Sequence, residues 1–600
     1  MTETNDPKKT EKSFQRLIEI GIALSAEREH NRLLEIILVE AMKLCSADGG
    51  SLYLKTTDDA LKFGIMRTNS LGIAMGGATG RDITFPPLRM YDEATGEENH
   101  KNVATHVALT GETVNIPDAY KAEGFDFSGT RKFDEGNNYR STSFLSVPMK
   151  NRKGEVIGVL QLLNAQNEAK TKAIPFSGDI QPLIEALASQ AAVALDNQQL
   201  MEAQKNLFDS FIELIAGTID AKSSYTSGHC QRVPILSRML AEVANESTEE
   251  PFKDFTLTDD DRYELQIASL LHDCGKVTTP EYVVDKATKL ETIFDRIHEI
   301  RGRFEILKRD AEIDYYKALA EGNGDHAGLR KELDGKLAKK LTELDDDFAF
   351  IAECNIGGEF MADEKIERVK EIAARTWTRT LDDRIGVSHE ELKRMNRVPP
   401  RDLPCTEPLL ADKEEHIFPH DSVPETPECN PYGFKMNVPE YEYNRGEIYN
   451  LCIARGTLTA EERYKINHHI VQTIMMLGQL PFPNNLKRVP EYAGSHHETM
   501  IGTGYPRKLE KKDMSLPARI MAVADIFEAL TACDRPYRKA KTLSESIRIL
   551  SAMKKDRHVD PDLFDLFLKS GVYREYAEKY LMADQIDEVD ISQYLDGGKS

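Results

Sequence analysis

The N-terminal third of the chain carries two kinds of hydrophobic pattern. Between residues 14 and 44, apolar side chains recur every three or four positions, which predicts helix. Residues 51–66, SLYLKTTDDALKFGIM, then alternate as two short antiparallel strands do. A second strand pair is predicted at 143–165 around an Asn-Arg-Lys-Gly turn, followed by a long helix from about Pro182. This order predicts an α+β domain over residues 14–198.

Helical periodicity dominates two later segments, residues 205–290 and 457–590. Strings such as ELQIASLLHDCGK and SLPARIMAVADIFEALTACD place their apolar residues at helical spacing. The residues between them, 291–456, differ: their first half is highly charged and predicts a helical hairpin, and their second half is an irregular Pro-rich loop. We therefore predict an all-α domain that is interrupted by a large insertion, residues 291–456.

A connecting helix is predicted over residues 183–215. Its apolar residues keep a three- and four-residue spacing, with Gln198 at one of the positions. Such spacing suits either a short parallel coiled coil, which would make the protein a homodimer, or an amphipathic helix that packs on its own domain. The apolar positions are Ile184, Leu187, Ala191, Ala194, Met201 and Phe208.

Length and charge restrict the possible classes of protein. Six hundred residues exceed what one hydrophobic core supports, so two or three domains are expected. With 77 Lys and Arg against 100 Asp and Glu, the formal net charge of −23 disfavours a nucleic-acid duplex or an anionic membrane as partner. No stretch approaches the ~20 apolar residues of a membrane span. The eight cysteines lack CxxC spacing, so we expect reduced thiols and a cytoplasmic location.

Histidine is rare, with 15 in 600 residues, yet it clusters in the helical domain. Imidazole and carboxylate are ligands for Zn, Mn and non-haem Fe, which activate water for hydrolysis. Neighbouring residues on a helix diverge by about 100°, so an adjacent pair serves two ions more easily than one. Two ions suit phosphoester cleavage. The clusters are His272-Asp273, His468-His469 and His496-His497-Glu498, with Asp525 on an apolar helix.

The sequence around these clusters resembles the HD-GYP domain phosphodiesterases of the HD superfamily. HDCGK at 272–276 matches the HD-x-GK signature, and HHE at 496–498 followed by GTGYP at 502–506 matches the second signature. The resemblance implies an all-helical domain that binds two or three Fe or Mn ions and hydrolyses cyclic di-GMP to pGpG or GMP. It also implies seven metal ligands by position: His229, His272, Asp273, His469, His496, His497 and Asp525.

The same resemblance implies further roles at the site. Asp273 would bridge the metals and act in catalysis, together with Lys276, which would steady the scissile phosphate. Gly502 and Gly504 would let the backbone approach the substrate, and Tyr505 would stack on or hydrogen-bond the guanine. Two arginines would contact the remaining phosphate oxygens, with a surface ion pair to Asp534 as the alternative: Arg535 and Arg538.

Some positions involve a choice or depart from the family pattern. His469 is preferred to His468 by its register, and His298, a rival by spacing alone, is expected to be structural or to support a ligand. Ile501 replaces the usual Asp before the Gly-x-Gly-Tyr-Pro segment. Tyr225 stands where members with a third metal carry Glu, so two divalent ions are expected.

The first domain resembles a GAF domain over residues 14–198. The strand pair at 147–164 and the segment TGETVNIPDAY at 110–120 carry the resemblance. RKFDE at 131–135 is similar to the Asn-Lys/Phe/Asp-Glu signature of phosphodiesterase GAF domains, although Arg131 stands in place of Asn. This implies a small-molecule ligand such as a cyclic nucleotide. The alternative is a salt bridge that only pins a loop.

The patterns together predict a metal-dependent cyclic di-GMP phosphodiesterase, regulated by a GAF sensor in bacterial second-messenger signalling. Two other functions fit the same residues. One is a receptor that binds cyclic di-GMP without turnover and signals through the insertion. The other is an HD phosphohydrolase that acts on a different nucleotide.

Overall fold

The chain folds as two compact units, Met1–Asp209 and Ser210–Ser600. The computed structural model describes residues 7–222, 228–321, 326–358, 360–420, 430–532 and 540–595. The first unit combines helices with a sheet, and the second is mainly helical. The predicted fold class, an α+β domain followed by a helical one, is therefore confirmed.

The first unit begins with two helices and then alternates short helices with strands. In chain order its elements are α1 Pro7–Ala26, α2 His30–Leu44, β1 Ala47–Lys55, β2 Ala60–Thr68, β3 Ile73–Gly76, β4 Leu88–Arg89, α3 Val103–Thr110, β5 Val114–Ile116, α4 Ser128–Asn137, β6 Phe144–Lys150, β7 Val156–Gln166, β8 Ala173–Ile174 and the start of α5 Gln181–Lys222.

One antiparallel sheet organises this unit. Its main path runs β3-β2-β1-β7-β6-β5, while β4 pairs with β2 and β8 pairs with β7. The register places Leu52 opposite both Ile65 and Leu160, so one central row of the sheet is apolar. The two predicted strand pairs are the central strands β1, β2, β6 and β7.

Helices cover one face of the sheet because their apolar stripes need burial. Helix α2 buries Leu34, Ile37 and Leu38, and the first turns of α5 bury Ile184 and Leu187 in the same core. A smaller cluster on α3 and the sheet, around Val107 and Val159, forms a second core.

The Asp134 carboxylate pins the loop that follows α4, but not through a salt bridge. Its oxygens accept hydrogen bonds from the Tyr120 hydroxyl at 2.8 Å and from the Ser141 amide and hydroxyl, each at 2.8 Å. Arg131 and Lys132 are exposed. Among the described residues, the donors that hold the Asp134 carboxylate are thus uncharged groups of Tyr120 and Ser141.

Helix α5 has two different parts. Ile184, Leu187 and Ala191 are fully buried in the first unit, so the start of the predicted coiled-coil pattern packs on its own domain. Farther along the helix, apolar side chains are exposed: Leu200 60%, Met201 72%, Leu207 58%, Phe211 55%, Leu214 64% and Ile215 41%.

The second unit is built mainly of helices. Its helices after α5 are α6 His229–Glu246, α7 Asp259–Leu271, α8 Glu281–Val284, α9 Ile297–Glu321, α10 His326–Ile356, α11 Asp363–Ala373, α12 His389–Met395, α13 Glu447–Leu451, α14 Ala460–Asn467, α15 His469–Gly478, α16 Val489–Ser495, α17 Leu516–Thr531, α18 Leu543–Lys555, α19 Pro561–Lys569 and α20 Val572–Tyr580. Short strands pair as β9 Thr376–Arg379 with β10 Cys405–Pro408 and β11 Ile417–Phe418 with β12 Tyr443–Asn444. In the described part of the chain, no helix combines the length and apolar character needed to cross a lipid bilayer.

The segment predicted to be an insertion, residues 291–456, supplies most of one hydrophobic cluster. Helices α9 and α10 run antiparallel, because Lys308 pairs with Asp345 and the later Tyr315 bonds the earlier Asp334. They bury Ile300, Phe304 and Ile351. The Pro-rich stretch was predicted to be an irregular loop, yet it contributes β10 and the buried Leu409 and Leu410 to this core. The sequence did not indicate that these two leucines are buried, because they follow a strand of only four residues and belong to no helical or alternating hydrophobic pattern.

Buried lysines tie the two ends of the insertion together. The Lys286 ammonium lies 2.8 Å from a Glu462 carboxylate oxygen, and both residues are buried. The Lys289 ammonium donates to the carbonyls of Leu451 and Ile453, each at 2.8 Å. The chain therefore leaves and re-enters the helical unit at neighbouring points.

Replacing Ile351 should loosen the insertion core. Ile351→Ala removes a fully buried side chain, so the free energy of opening of α10 should fall by about 2 to 5 kcal/mol. Hydrogen–deuterium exchange of the α9 and α10 amides measures this opening. Ile356→Ala, on the same helix with 67% of Ile356 exposed, is the matched control and should leave exchange unchanged. Equal effects of the two variants would contradict a buried core here.

Candidate metal centre

Seven histidine and aspartate side chains meet inside the second unit, and most of them lie at helix ends. His229 and His469 are the first residues of α6 and α15. The pairs His272-Asp273 and His496-His497 directly follow α7 and α16. Asp525 alone lies within a helix, α17, where it is 8% exposed. All seven ligands predicted from the sequence are thus brought together.

The seven side chains form two groups, each with potential ligand atoms within 4.8 Å of one another. The first group is His229, His272 and Asp525; the second is Asp273, His469, His496 and His497.

The Asp273 carboxylate lies between the two groups. One oxygen, Oδ2, is 3.2 Å from His272 Nε2 and 3.4 Å from His229 Nε2. The other oxygen, Oδ1, is 3.2 Å from His469 Nε2. A carboxylate with one oxygen toward each group is the arrangement that a bridging ligand requires.

Three of the histidine rings are oriented by the same kind of hydrogen bond. Nδ1 of His272, His469 and His496 lies 2.7, 2.5 and 2.7 Å from the carbonyl oxygen three residues earlier. The last carbonyls of a helix lack intrahelical partners and so remain available as acceptors. With the Nδ1 proton donated there, the Nε2 lone pair of each ring is left for a ligand.

His229 is oriented by a carboxylate instead. Its Nδ1 bonds Glu528, which is 1% exposed and also accepts from Arg232 Nε at 2.5 Å. The sequence analysis missed Glu528. The available signal is its position three residues after Asp525 on α17, which places both carboxylates on one helix face.

The residues fit a divalent cation. Within the described residues, His496 Nε2 and Asp273 Oδ1 are buried side-chain atoms without a hydrogen-bond partner. Buried polar atoms normally have such a partner. A metal ion between them would satisfy both atoms, since imidazole nitrogen and carboxylate oxygen are its usual ligands.

Electrostatics in the site favour ionised carboxylates. Burial alone would raise the pKa of Asp273, but Lys276 and the neighbouring rings hold it well below its usual range. Burial alone would lower the pKa of His272, yet Asp273 and Asp525 raise it to about 9. For His496, burial dominates and lowers the pKa to about 4. A divalent ion would take the place of protons on the rings, because ligands bind metal in deprotonated form.

Lys276 lies beside the Asp273 carboxylate. Its ammonium donates to Asp273 Oδ2 at 2.6 Å, and 26% of its side chain is exposed. The neighbouring Gly275 has no room for a side chain, since a Cβ there would lie 1.9 Å from the His469 carbonyl oxygen. The Gly275 amide donates to Thr473 Oγ1 at 2.9 Å. The segment 272–276 is thereby packed directly on α15.

The loop that carries Gly502 and Gly504 is folded back onto the ligands. A Cβ on Gly504 would lie 2.6 Å from both the Glu498 Cα and the His497 carbonyl oxygen, so only glycine fits. Gly502 has a φ of 74°. The Tyr505 ring stacks on His497 with centroids 4.8 Å apart. Ile501 stands at the position where the HD-GYP domain phosphodiesterases usually have Asp, and it is 47% exposed.

The other predicted candidates fall elsewhere. His298 is exposed on α9, where its Nδ1 lies 2.7 Å from an Arg301 nitrogen. His468 packs against Tyr464, with ring centroids 5.5 Å apart. Arg535, Arg538 and Tyr225 lie outside the described residues.

Two cavities adjoin the site, and Tyr505 lines both. The smaller, of about 330 Å³, includes His497 and Asp525 in its wall. The larger, of about 860 Å³, lies between the Tyr505 loop, α14 and the insertion, with Arg455 and Arg463 in its wall. Its volume is within the range of about 300–1,000 Å³ for small-molecule sites.

Comparison with known proteins matches both units. A GAF domain model matches residues 29–195, and HD domain models match residues 226–349 and 404–563. The 3′3′-cGAMP-specific phosphodiesterase 1 of Vibrio cholerae is 36% identical over 137 residues, which are 23% of this chain and 26% of that protein.

Two cyclic di-GMP phosphodiesterases are also similar. The protein of Pseudomonas aeruginosa is 43% identical over 79 residues, 13% of this chain and 18% of that protein. The protein of Thermotoga maritima is 33% identical over 129 residues, 21% of this chain and 34% of that protein. The chain thus spans only 18 to 34% of the length of these three relatives. It carries an N-terminal GAF domain followed by an HD domain.

Proposed function

We propose that this protein is a metal-dependent phosphodiesterase of the HD-GYP type that hydrolyses cyclic di-GMP to pGpG or GMP. The observation that carries the proposal is the meeting of two buried ligand groups on the Asp273 carboxylate. The HD domain match and the names of the relatives support it. The cyclic dinucleotide 3′3′-cGAMP is the second candidate substrate, because a similar Vibrio cholerae protein bears that specificity in its name.

Two ions, Fe or Mn, fit the two groups. His229, His272 and Asp525 would hold one ion, His469, His496 and His497 the other, and Asp273 would contact both. When bound, two such ions act as Lewis acids on a phosphoester, and they lower the pKa of a metal-bound water molecule to about 7.

The side chains around the ligands have roles that follow from their contacts. Glu528 holds the proton on His229 Nδ1, which keeps Nε2 directed inward. Lys276 places a positive charge beside Asp273 and reaches the surface of the site. A substrate phosphate that enters next to Asp273 would therefore meet the Lys276 ammonium, which offsets negative charge on the phosphate oxygens.

The larger cavity suits the part of a cyclic dinucleotide that does not react. Arg455, Arg463 and Lys508 are exposed in its wall, and no ion pair involves them within the described ranges. Guanidinium groups bind phosphate through two parallel hydrogen bonds. These cations give an acidic protein a local site for the second phosphate, and Tyr505, shared by both cavities, offers a ring against which a base can stack.

Regulation by the GAF domain is part of the proposal. Helix α5 starts in the core of the GAF domain and continues to Lys222 in the second unit. A ligand that alters the GAF core would therefore act on a continuous element. We take that ligand to be a small molecule such as a cyclic nucleotide. A cytoplasmic location agrees with the free cysteines in the described chain.

We further propose that the protein is a homodimer through the exposed stripe of α5. Leu200, Leu207 and Leu214 recur every seven residues, and Phe211 lies between the last two. A heptad repeat of this kind pairs two parallel helices. The second copy of the same stripe would cover these side chains.

Loss of one ligand should abolish turnover. His272→Ala and Asp273→Ala should each lose bound metal and reduce hydrolysis of cyclic di-GMP by more than about 100-fold, beyond the effect of replacing a residue that only supports a ligand. Elemental analysis measures the metal, and chromatography separates pGpG and GMP from substrate. Cyclic di-GMP and 3′3′-cGAMP are assayed in parallel.

His298→Ala is the matched control, because this rival histidine lies exposed on α9. It should keep both metal and turnover. Tight binding of cyclic di-GMP without any product would instead indicate a receptor, and turnover of a mononucleotide alone would overturn the substrate class.

Neutralising the cavity wall should weaken substrate binding. In Arg455→Gln/Arg463→Gln, KM for the cyclic dinucleotide should rise at least tenfold, since one charge-assisted hydrogen bond contributes about 1.5–3 kcal/mol. Hydrolysis of bis(p-nitrophenyl) phosphate, a phosphodiester with one phosphate and no nucleotide, should be unchanged. Arg574→Gln, an exposed arginine on α20, is the control. An unchanged KM would exclude this cavity as the substrate site.

A charge in the stripe should separate the dimer. Leu207→Glu should convert a particle with the mass of two chains into one with the mass of a single chain, measured by light scattering after size exclusion. Leu381→Glu, at an exposed position in the insertion, should not do so. A monomeric wild-type protein at micromolar concentration would refute the dimer.

A further inference from the structure

The last turn of α5 contacts the backbone on either side of His229 and the backbone between Lys276 and Thr279. The helix ends at Lys222, and its inner face is buried at Ile212, Ala216 and Ile219. Two side chains of this turn, Asp220 and Lys222, reach away from the helix to main-chain atoms at the metal centre.

Asp220 caps the helix that begins with His229. Its Oδ2 accepts the Gly228 amide at 3.1 Å, and its Oδ1 accepts the Cys230 amide at 3.3 Å. Gly228, at the N-cap, has no side chain to satisfy the first amides of α6. Asp220 supplies the missing acceptor, and its negative charge suits a helix N-terminus. The amides of the two residues that flank His229 in the chain, Gly228 and Cys230, are thus held by this one carboxylate.

Lys222 holds the segment that follows Asp273. Its ammonium donates to the carbonyl oxygens of Lys276 at 3.0 Å, Val277 at 2.5 Å and Thr279 at 2.7 Å. Three acceptors use all three ammonium protons. The Lys276 backbone is therefore fixed by Lys222 while the Lys276 side chain bonds Asp273.

We propose that Asp220 and Lys222 are positioning residues of the phosphodiesterase site: Asp220 sets the place of His229, and Lys222 sets the place of Lys276. The inference rests on the proposed function. Neither residue touches the ligand groups' metal-facing atoms. Each acts through hydrogen bonds to the backbone. The last turn of α5, a helix that starts in the GAF core, therefore holds the backbone next to His229 and at Lys276.

The two residues should have separable effects. Asp220→Asn should weaken metal binding about 10- to 100-fold, the range seen when a partner of a ligand is replaced. Lys222→Met should retain metal and KM but lower kcat by about tenfold or more, because Lys276 acts on the reacting phosphate rather than on binding. Lys222→Arg, which keeps the charge and donors, should recover most of the loss.

The experiment uses the full chain. Metal affinity is measured by titrating Mn²⁺ into chelator-treated protein. The values of kcat and KM are measured with cyclic di-GMP as substrate, and folding is checked by thermal melting. Glu213→Gln, a carboxylate-to-amide change at an exposed position of the same helix, is the matched control and should behave as wild type.

Metal affinity and kcat within twofold of wild type in Asp220→Asn and Lys222→Met would overturn the inference. So would a fall in melting temperature that accounts for every loss and is not relieved in Lys222→Arg. A wild-type protein that binds Mn²⁺ but hydrolyses no cyclic dinucleotide would refute the proposed function instead. In that case the Mn²⁺ affinity of Asp220→Asn still decides whether Asp220 positions His229.

Discussion

The helical unit is arranged around one buried negative charge, the Asp273 carboxylate. Only 1% of this residue is exposed, and a buried charge is costly unless it is paired. Here the rings of His229, His272 and His469 and the Lys276 ammonium surround it. Each of these partners comes from a segment near a helix terminus, so the position of that carboxylate dictates where those termini must meet.

Building the site from helix ends solves two problems together. A terminal turn leaves backbone carbonyls without partners, and three of the histidine rings use such a carbonyl to fix their orientation. The same geometry lets the two residues of the His272-Asp273 pair diverge, whereas His496 and His497 stay in one group. His272, at the C-cap of α7, joins one ligand group while Asp273, the next residue, joins the other.

Much of this arrangement follows from the sequence. The candidate ligand clusters are visible because histidine is rare and occurs in pairs, and register distinguishes His469 from its neighbour His468. The alternation of apolar and polar residues also predicts the central strand pairs, β1 with β2 and β6 with β7. What they could not give are contacts between distant residues: Glu528 lies 299 positions from His229. Likewise, apolar spacing does not say which partner covers a helix, so the early turns of α5 proved to be GAF core.

The joined ends of segment 291–456 have a consequence for the changes in length that this chain can accommodate. Lys286 and Lys289, just before residue 291, bond to Glu462 and to the carbonyls of Leu451 and Ile453, near residue 456. These contacts hold the two ends of the segment together, so the spacing between α7 and α15 does not depend on the residues in between. A segment attached by two adjacent points can lengthen, shrink or be exchanged without moving a single ligand. A change in that region would therefore alter the approach to the candidate site while the seven side chains keep their places.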